Sequence, residues 1–141
     1  VIRSHKGKNL IDQFDKSHLH LIARGVKLFN EQKYWECHEE LEHHWLEEPG
    51  PLRNIYWAII QVAAAMIHYR ENNLIGARGL IFKAKEKIDR VDKMHLENDL
   101  LKTTLDWDNF KRLVKSVPAE PELSDFEELF KFRFKDPKLW N

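Results

Sequence analysis

Asn54-Ile55-Tyr56-Trp57-Ala58-Ile59-Ile60-Gln61-Val62-Ala63-Ala64-Ala65-Met66-Ile67-His68-Tyr69 carries no Asp, Glu, Lys or Arg. A helix over these residues is apolar nearly all the way round, which places it at the centre of a soluble core. The stretch is shorter than the ~20 residues needed to cross a bilayer. Pro49-Gly50-Pro51 stops the chain before it and Asn72-Asn73 breaks it afterwards, so this helix spans about Leu52–Glu71.

Working outward, Leu74, Ala77, Ile81, Ala84, Ile88 and Val91 form one apolar stripe, predicting a helix over Leu74–Lys93. On the other side, Tyr34–Glu47 reads as a helix. Before it, Leu19, Ile22, Val26 and Phe29 mark another over Ser17–Asn30, with Ser17 as its N-cap. A fifth, shorter helix is expected over Trp107–Val117, on Phe110, Leu113 and Val114. Beyond Pro118 and Pro121 the tail is aromatic. Ser124 with Glu127 matches a capping box, and Phe130, Phe132 and Phe134 alternate with basic residues. A short helical turn followed by an extended segment packed on the bundle satisfies both signals. The fold expected is therefore all-α, with about five helices arranged as two stacked antiparallel hairpins and C-terminal additions. One domain covers 1–141: a loosely held arm at 1–16, hairpins at 17–93, and a helix and aromatic tail at 94–141.

The two hairpins show a weak internal repeat. Placing Tyr34 on Leu74 puts Phe29 on Tyr69, Cys37 on Ala77 and Leu41 on Ile81, an offset of 40 residues. This differs from the ~34-residue period of tetratricopeptide arrays.

Composition narrows the function. The chain has 141 residues, enough for one cored domain, with 43% hydrophobic and 33% charged residues. Lys+Arg and Asp+Glu both number 23, so a nucleic-acid binder or polybasic membrane-surface protein is disfavoured. With 1 Cys, neither an intramolecular disulfide nor a Cys-rich zinc module can form. The expected compartment is the cytoplasm, since no signal peptide is evident.

The site candidate lies on the Tyr34–Glu47 helix. At 100° per residue, Tyr34, Trp45, His38, Glu42 and Trp35 fall within one arc of about 100°, with Glu39 at its edge. If that aromatic arc faces the core, an imidazole and a carboxylate face it too, and each needs a partner. Gln61 and His68 lie two turns apart on one stripe of the central helix, among Ala58, Ala64 and Ala65. His38, Glu42, Gln61 and His68 could then meet. Three readings follow. The first is a structural polar network. The second is a divalent metal site, for Zn, Mn or Fe, on His38, Glu42 and His68. The third is acid–base catalysis by the carboxylate–imidazole pair. Cys37 reads as a core or boundary residue. Glu40 and His43 match the Glu-x-x-His spacing of di-iron bundles, but on the expected outer face and without a second pair opposite.

Tyr34-Trp35-Glu36-x-His38-Glu39-x-Leu41-Glu42-x-x-Trp45, then Ile60-Gln61-x-Ala63-Ala64-Ala65-x-x-His68, then Asn73-x-x-Gly76-Ala77, resembles domain-of-unknown-function family 309, a group of small helical bacterial and archaeal proteins. The resemblance covers about Gly25 to Ala84. It implies an all-α fold and a cytoplasmic protein, and it implies no activity. It marks Tyr34, Glu36, His38, Glu39, Glu42, Trp45, Gln61 and His68 as the positions of interest. Cys37 stands where the family has a small Ala, which speaks against a thiol mechanism. The expectation is a structural or protein-interaction module, leaning away from an enzyme, with a protein partner or a second copy as its target. The alternative is a metal-dependent enzyme, such as a hydrolase, using His38, Glu42 and His68. No catalytic residue is assigned.

Overall fold

The computed structural model describes residues 13–140, all of it helix, turn or irregular chain without a strand. Among these residues there are six α-helices rather than about five: α1 (Lys16–Asn30), α2 (Tyr34–Glu47), α3 (Arg53–Arg70), α4 (Leu74–Lys93), α5 (Trp107–Ser116) and α6 (Glu127–Lys131). A π-helical turn over Leu100–Thr104 and 3-10 turns over Leu123–Phe126 and Pro137–Leu139 complete the chain. Consecutive helices make the main packing contacts, α1 with α2, α2 with α3 and α3 with α4. As expected from its sequence, α3 is central: Ile55, Tyr56, Ala58, Ile59, Val62, Ala63, Ala65 and Met66 are fully buried.

The two halves share a turn. The α1–α2 and α3–α4 junctions place Gln32 and Asn72 in the left-handed region, both at φ 59°. In the first, the Lys33 N–H donates to Leu28 O at 2.9 Å; in the second, the Asn73 N–H donates to His68 O at 2.8 Å. Each is the six-to-one bond of a Schellman closure, which satisfies carbonyls left open at a helix end. The 40-residue offset is thus an equivalence of backbone turns. A further closure ends α4, with His95 at φ 57° and Leu96 N–H on Val91 O.

Two capping expectations are corrected. Asp15, not Ser17, caps α1: its carboxylate accepts from Ser17 N–H at 2.9 Å, and its own N–H donates to His18 Nδ1 at 3.0 Å. The helix therefore starts at Lys16, inside the segment expected to be a loose arm. Phe14 is also buried there, with its carbonyl accepting from Asn98 Nδ2 at 2.8 Å. The rest of the expected arm, 1–12, lies outside the described residues. In the tail, Glu122 and Asp125 form the capping box instead of Ser124 and Glu127.

The aromatic tail packs as expected. After α6 the chain is extended, and the Asn30 side chain clamps it at both polar groups of one residue. Asn30 Nδ2 donates to Phe134 O at 2.9 Å and Phe134 N–H donates to Asn30 Oδ1 at 2.8 Å. Phe134 then packs on Phe29 and Phe110, with ring centroids 5.0 and 5.1 Å away. Such contacts tie α1 to α5, each pair contributing about 0.5–1.5 kcal/mol beyond simple burial.

The rotational phase of α2 differs from expectation. Its buried line is Tyr34, Cys37 and Leu41, whereas Trp35 is 57% exposed. The helix is turned by about 70° from the arc expected to face the core. The cause lies in α1. Gly25 has no side chain, and the Leu41 side chain fills the space: a Cβ at Gly25 would stand 2.4 Å from Leu41 Cδ2. That knob-and-socket contact fixes the phase and brings Cys37 inward. Burial accordingly pushes the Cys37 thiol far above its ordinary pKa, so it is an inert core group.

Candidate functional site

With α2 turned this way, His38 and Glu42 do not enter the core. They face the seam where α2 meets α3 and α4. A cavity of about 180 Å³ opens there, lined by His38, Glu42 and Trp45 of α2, Trp57, Ile60, Gln61 and Ala64 of α3, and Leu80 of α4. Gln61 is 7% exposed. His38 and Trp45 are half-buried, and Glu42 is exposed. The His38 ring stacks on Trp35, 5.4 Å between centroids and within 5° of parallel. Trp45 and Trp57 meet at 5.0 Å.

Three residues of this lining each carry a buried polar atom with no hydrogen-bond partner in the protein: His38 Nδ1, the Trp45 indole Nε1 and Gln61 Oε1. Leaving a buried polar group unpaired costs about 1–3 kcal/mol, so such groups seldom gather at one place by chance. The set is chemically mixed. The indole N–H can only donate, Gln61 Oε1 can only accept, and His38 Nδ1 does either according to tautomer. Glu42 makes no hydrogen bond or ion pair with another described residue. Two other tryptophans contrast with Trp45: Trp107 donates to Glu97 at 3.2 Å and Trp140 to Lys135 O at 3.0 Å.

Cations surround the indoles from outside the lining. Arg53 lies over the Trp45 ring at 4.5 Å, and Lys87 and Arg90 over Trp57 at 4.3 and 5.7 Å. Lys87 is 4% exposed, and burial, followed by the Arg90 charge, lowers its pKa.

The structure thus assembles His38, Glu42, Trp45 and Gln61, and it does not bring His68 to them. His68 belongs to the α3–α4 turn, where Asn73 Nδ2 lies 3.0 Å from its Nδ1. Asn73 Oδ1 accepts from Gly76 N–H at 3.0 Å, so its amide nitrogen is the donor and His68 Nδ1 the acceptor. Gly76 leaves room for this ring: a Cβ there would meet it at 2.7 Å. The expected metal set of His38, Glu42 and His68 is therefore not assembled, and no group of three His, Cys, Asp or Glu able to hold a metal occurs among the described residues. The expected network is corrected too, since His38, Glu42 and Gln61 form no hydrogen bonds with one another.

The remaining positions sit apart. Tyr34 is fully buried under the Arg70 guanidinium, 5.0 Å from its ring, with its hydroxyl unpartnered. Burial raises its phenol pKa. Glu36 is exposed in the first turn of α2, where its charge suits the helix dipole, and Glu39 is exposed on the same helix. Glu40 meets His44 at 3.1 Å and Arg24 at 3.5 Å, not His43.

Sequence reasoning missed Trp57. It lies on the Gln61 stripe, four residues earlier. Because α2 and α3 run antiparallel, paired positions sum to nearly the same number, as Trp45 with Trp57 and Tyr34 with Arg70 show. By that rule His38 meets Ala64, Glu42 meets Ile60–Gln61, and His68 lies level with Tyr34. Extending the stripe towards Trp57 instead of His68 would have completed the lining.

A second concavity lies on α4. A groove of about 590 Å³ is lined by Ile75, Arg78, Gly79 and Phe82 with the 117–121 loop. Ile75 is 85% and Phe82 64% exposed. No helix among the described residues is long and apolar enough to cross a membrane.

The described residues form an all-helical unit with a small cavity between α2, α3 and α4. Residues 22–80, which contain every lining residue of that cavity, match the model of Domain of unknown function (DUF309). The segment also matches a protein of Bacillus subtilis (strain 168) described as "Uncharacterized protein YpuF", with 42% identity over 57 residues. That match takes in 40% of this chain and only 33% of the relative, so the chain spans about a third of the curated relative's length. No solved structure matches.

Proposed function

We propose that the protein is a binding module for a small polar ligand, held in the cavity between α2, α3 and α4. One observation carries this reading: three residues of one lining carry buried, unpaired polar atoms, His38 Nδ1, Trp45 Nε1 and Gln61 Oε1, which side-chain rotation can turn towards a ligand. A ligand supplying an acceptor and donors satisfies all three, and the free Glu42 carboxylate at the same wall adds a fourth contact. The volume, about 180 Å³, corresponds to roughly six water-sized groups, which suits a fragment-sized molecule or the end of a larger one. Backbone ¹H–¹⁵N spectra of the full chain titrated with acetamide, glycinamide and acetate test it. The expected result is a shift of the Trp45 indole N–H signal by at least one of them, with those of Trp107 and Trp140 unmoved, and loss of that shift in Gln61→Leu. No selective movement with any of the three contradicts the reading.

A second reading, the protein-interaction module, is favoured by the α4 groove. Its charged lining residues are Arg78, which pairs with Glu120 at 2.8 Å, and Lys85, which donates to Val117 O; together they leave one net positive charge beside the groove, so the fitting partner is an amphipathic helix with apolar anchors and carboxylates on its flank. The open space at Gly79 admits a close backbone approach. An acidic amphipathic peptide should bind wild type and lose at least tenfold affinity on Phe82→Ser. Equal binding by a basic peptide with the same apolar stripe, or self-association through Phe82, contradicts it.

A further inference from the structure

We infer that the cavity selects a protonated amine placed next to a hydrogen-bond acceptor, the arrangement of an α-ammonium beside a carbonyl. This rests on the small-ligand reading above and goes on to name the charge and layout of the ligand. Three features of the lining carry it. First, its only formal charge is Glu42, which has no counter-ion among the described residues. Arg53, Lys87 and Arg90 stand behind the tryptophan rings and not in the lining, so Glu42 is the one charged group of the lining that a ligand touches directly. Second, Gln61 Oε1 is a buried acceptor in need of a donor, and an ammonium supplies several. Third, the Trp45 N–H is a buried donor that an ammonium cannot satisfy. It needs a carbonyl-like oxygen in the same ligand, close to the amine. A bare amine or a metal ion leaves that indole unpaired, and a neutral amide leaves Glu42 without its charge partner.

The remaining walls fit this layout. Ile60, Ala64 and Leu80 give a short apolar side, with room for a small substituent on the carbon between the amine and the acceptor. His38 Nδ1, its ring held by the stack on Trp35, can take either role as its tautomer adjusts. The same chemistry occurs in a free amino amide and at the N-terminus of a peptide, and both present it in a group of this size.

The test compares apparent affinities from the Trp45 indole signal of the full chain. The probes are glycinamide, acetamide, methylammonium, acetate, Zn²⁺ alone, and a Gly-Ala-Ala tripeptide amide. Glycinamide should bind at least tenfold more tightly than acetamide or methylammonium, and acetate should not bind. Glu42→Gln should reduce glycinamide binding about tenfold and acetamide binding much less, a selectivity that a merely unfolded variant would not show. A tripeptide amide that binds more tightly than glycinamide assigns the source to a chain terminus; weaker binding assigns it to a free amine. Acetamide or acetate matching glycinamide overturns the inference while the small-ligand reading survives. Zn²⁺ binding with glycinamide silent overturns it as well. Silence of every probe defeats the small-ligand reading itself.

Discussion

The α1–α2 and α3–α4 hairpins are built on one backbone plan and finished with different surfaces. Their turns close through the same left-handed residue and the same six-to-one hydrogen bond, 40 residues apart. On the inward side the equivalence holds: Cys37 and Ala77, then Leu41 and Ile81, are all buried. On the adjacent side it fails. His38, Glu42 and Trp45 of α2 correspond to Arg78, Phe82 and Lys85 of α4. The first set lines a small cavity of mixed polarity between α2, α3 and α4, and the second lines a larger, more apolar groove. The turn and the inward stripe therefore specify the fold, and the neighbouring stripe is where binding chemistry differs.

The largest effect expected concerns the inward stripe. Leu41→Ala should cost about 2–5 kcal/mol, since it empties the contact with Gly25. Trp35→Ala should cost less than about 0.5 kcal/mol, because that ring is mostly in solvent. Chemical denaturation of both variants separates this helix phase from the one that turns Trp35 inward.

The glycines sharpen the comparison. Gly25→Ala forces a Cβ against Leu41 and should destabilise by about 1–3 kcal/mol. At Gly79 a Cβ meets nothing within 4 Å, so Gly79→Ala should stabilise by about 0.5–1 kcal/mol through helix propensity alone. Opposite signs in thermal melts are the expected outcome. The same sign at both sites would break the distinction between a closed hairpin face and an open one.

How far this was legible in the sequence follows from the same contacts. The bounds of α2 and α4 were readable because polar turns and a Pro-Gly-Pro break flank them. The aromatic tail was readable as a packed extended segment because its alternation is strong. The phase of α2 was not, because Trp35 and Trp45 drew the apolar arc one way while a single glycine on α1 drew the helix the other. The site was half legible for a related reason. His38, Glu42, Trp45 and Gln61 do share a wall, and His68 was added because its side-chain chemistry suited a ligand set. Antiparallel register, which no single helix displays, carries it one turn too far. The π-helical turn at Leu100–Thr104 was not legible: its buried pair, Leu101 and Leu105, has the i, i+4 spacing of an ordinary α-helical face and does not reveal the wider turn.

A smaller effect is expected at the cations behind the cavity. Lys87 has a folded pKa below the ordinary 10.5, chiefly because burial disfavours its charge. Between that lowered value and 10.5 the unfolded chain binds more protons than the folded one. Wild-type stability should therefore rise with pH across that window relative to Lys87→Met. Urea melts at neutral and alkaline pH check the sign, and a difference that falls with pH would contradict it.

The most direct measurement of the central claim is a double-mutant cycle in stability across the cavity, joining His38→Ala and Gln61→Met. If these groups are held apart for a ligand, Gln61→Met removes an unpaired buried acceptor and should leave stability unchanged or raise it by up to about 1 kcal/mol. His38→Ala should then cost only its packing on Trp35, and the two effects should add to within about 0.5 kcal/mol. A clear loss on Gln61→Met, with a coupling above about 1 kcal/mol between the two sites, would mean that they support each other as a structural network, and would contradict the account.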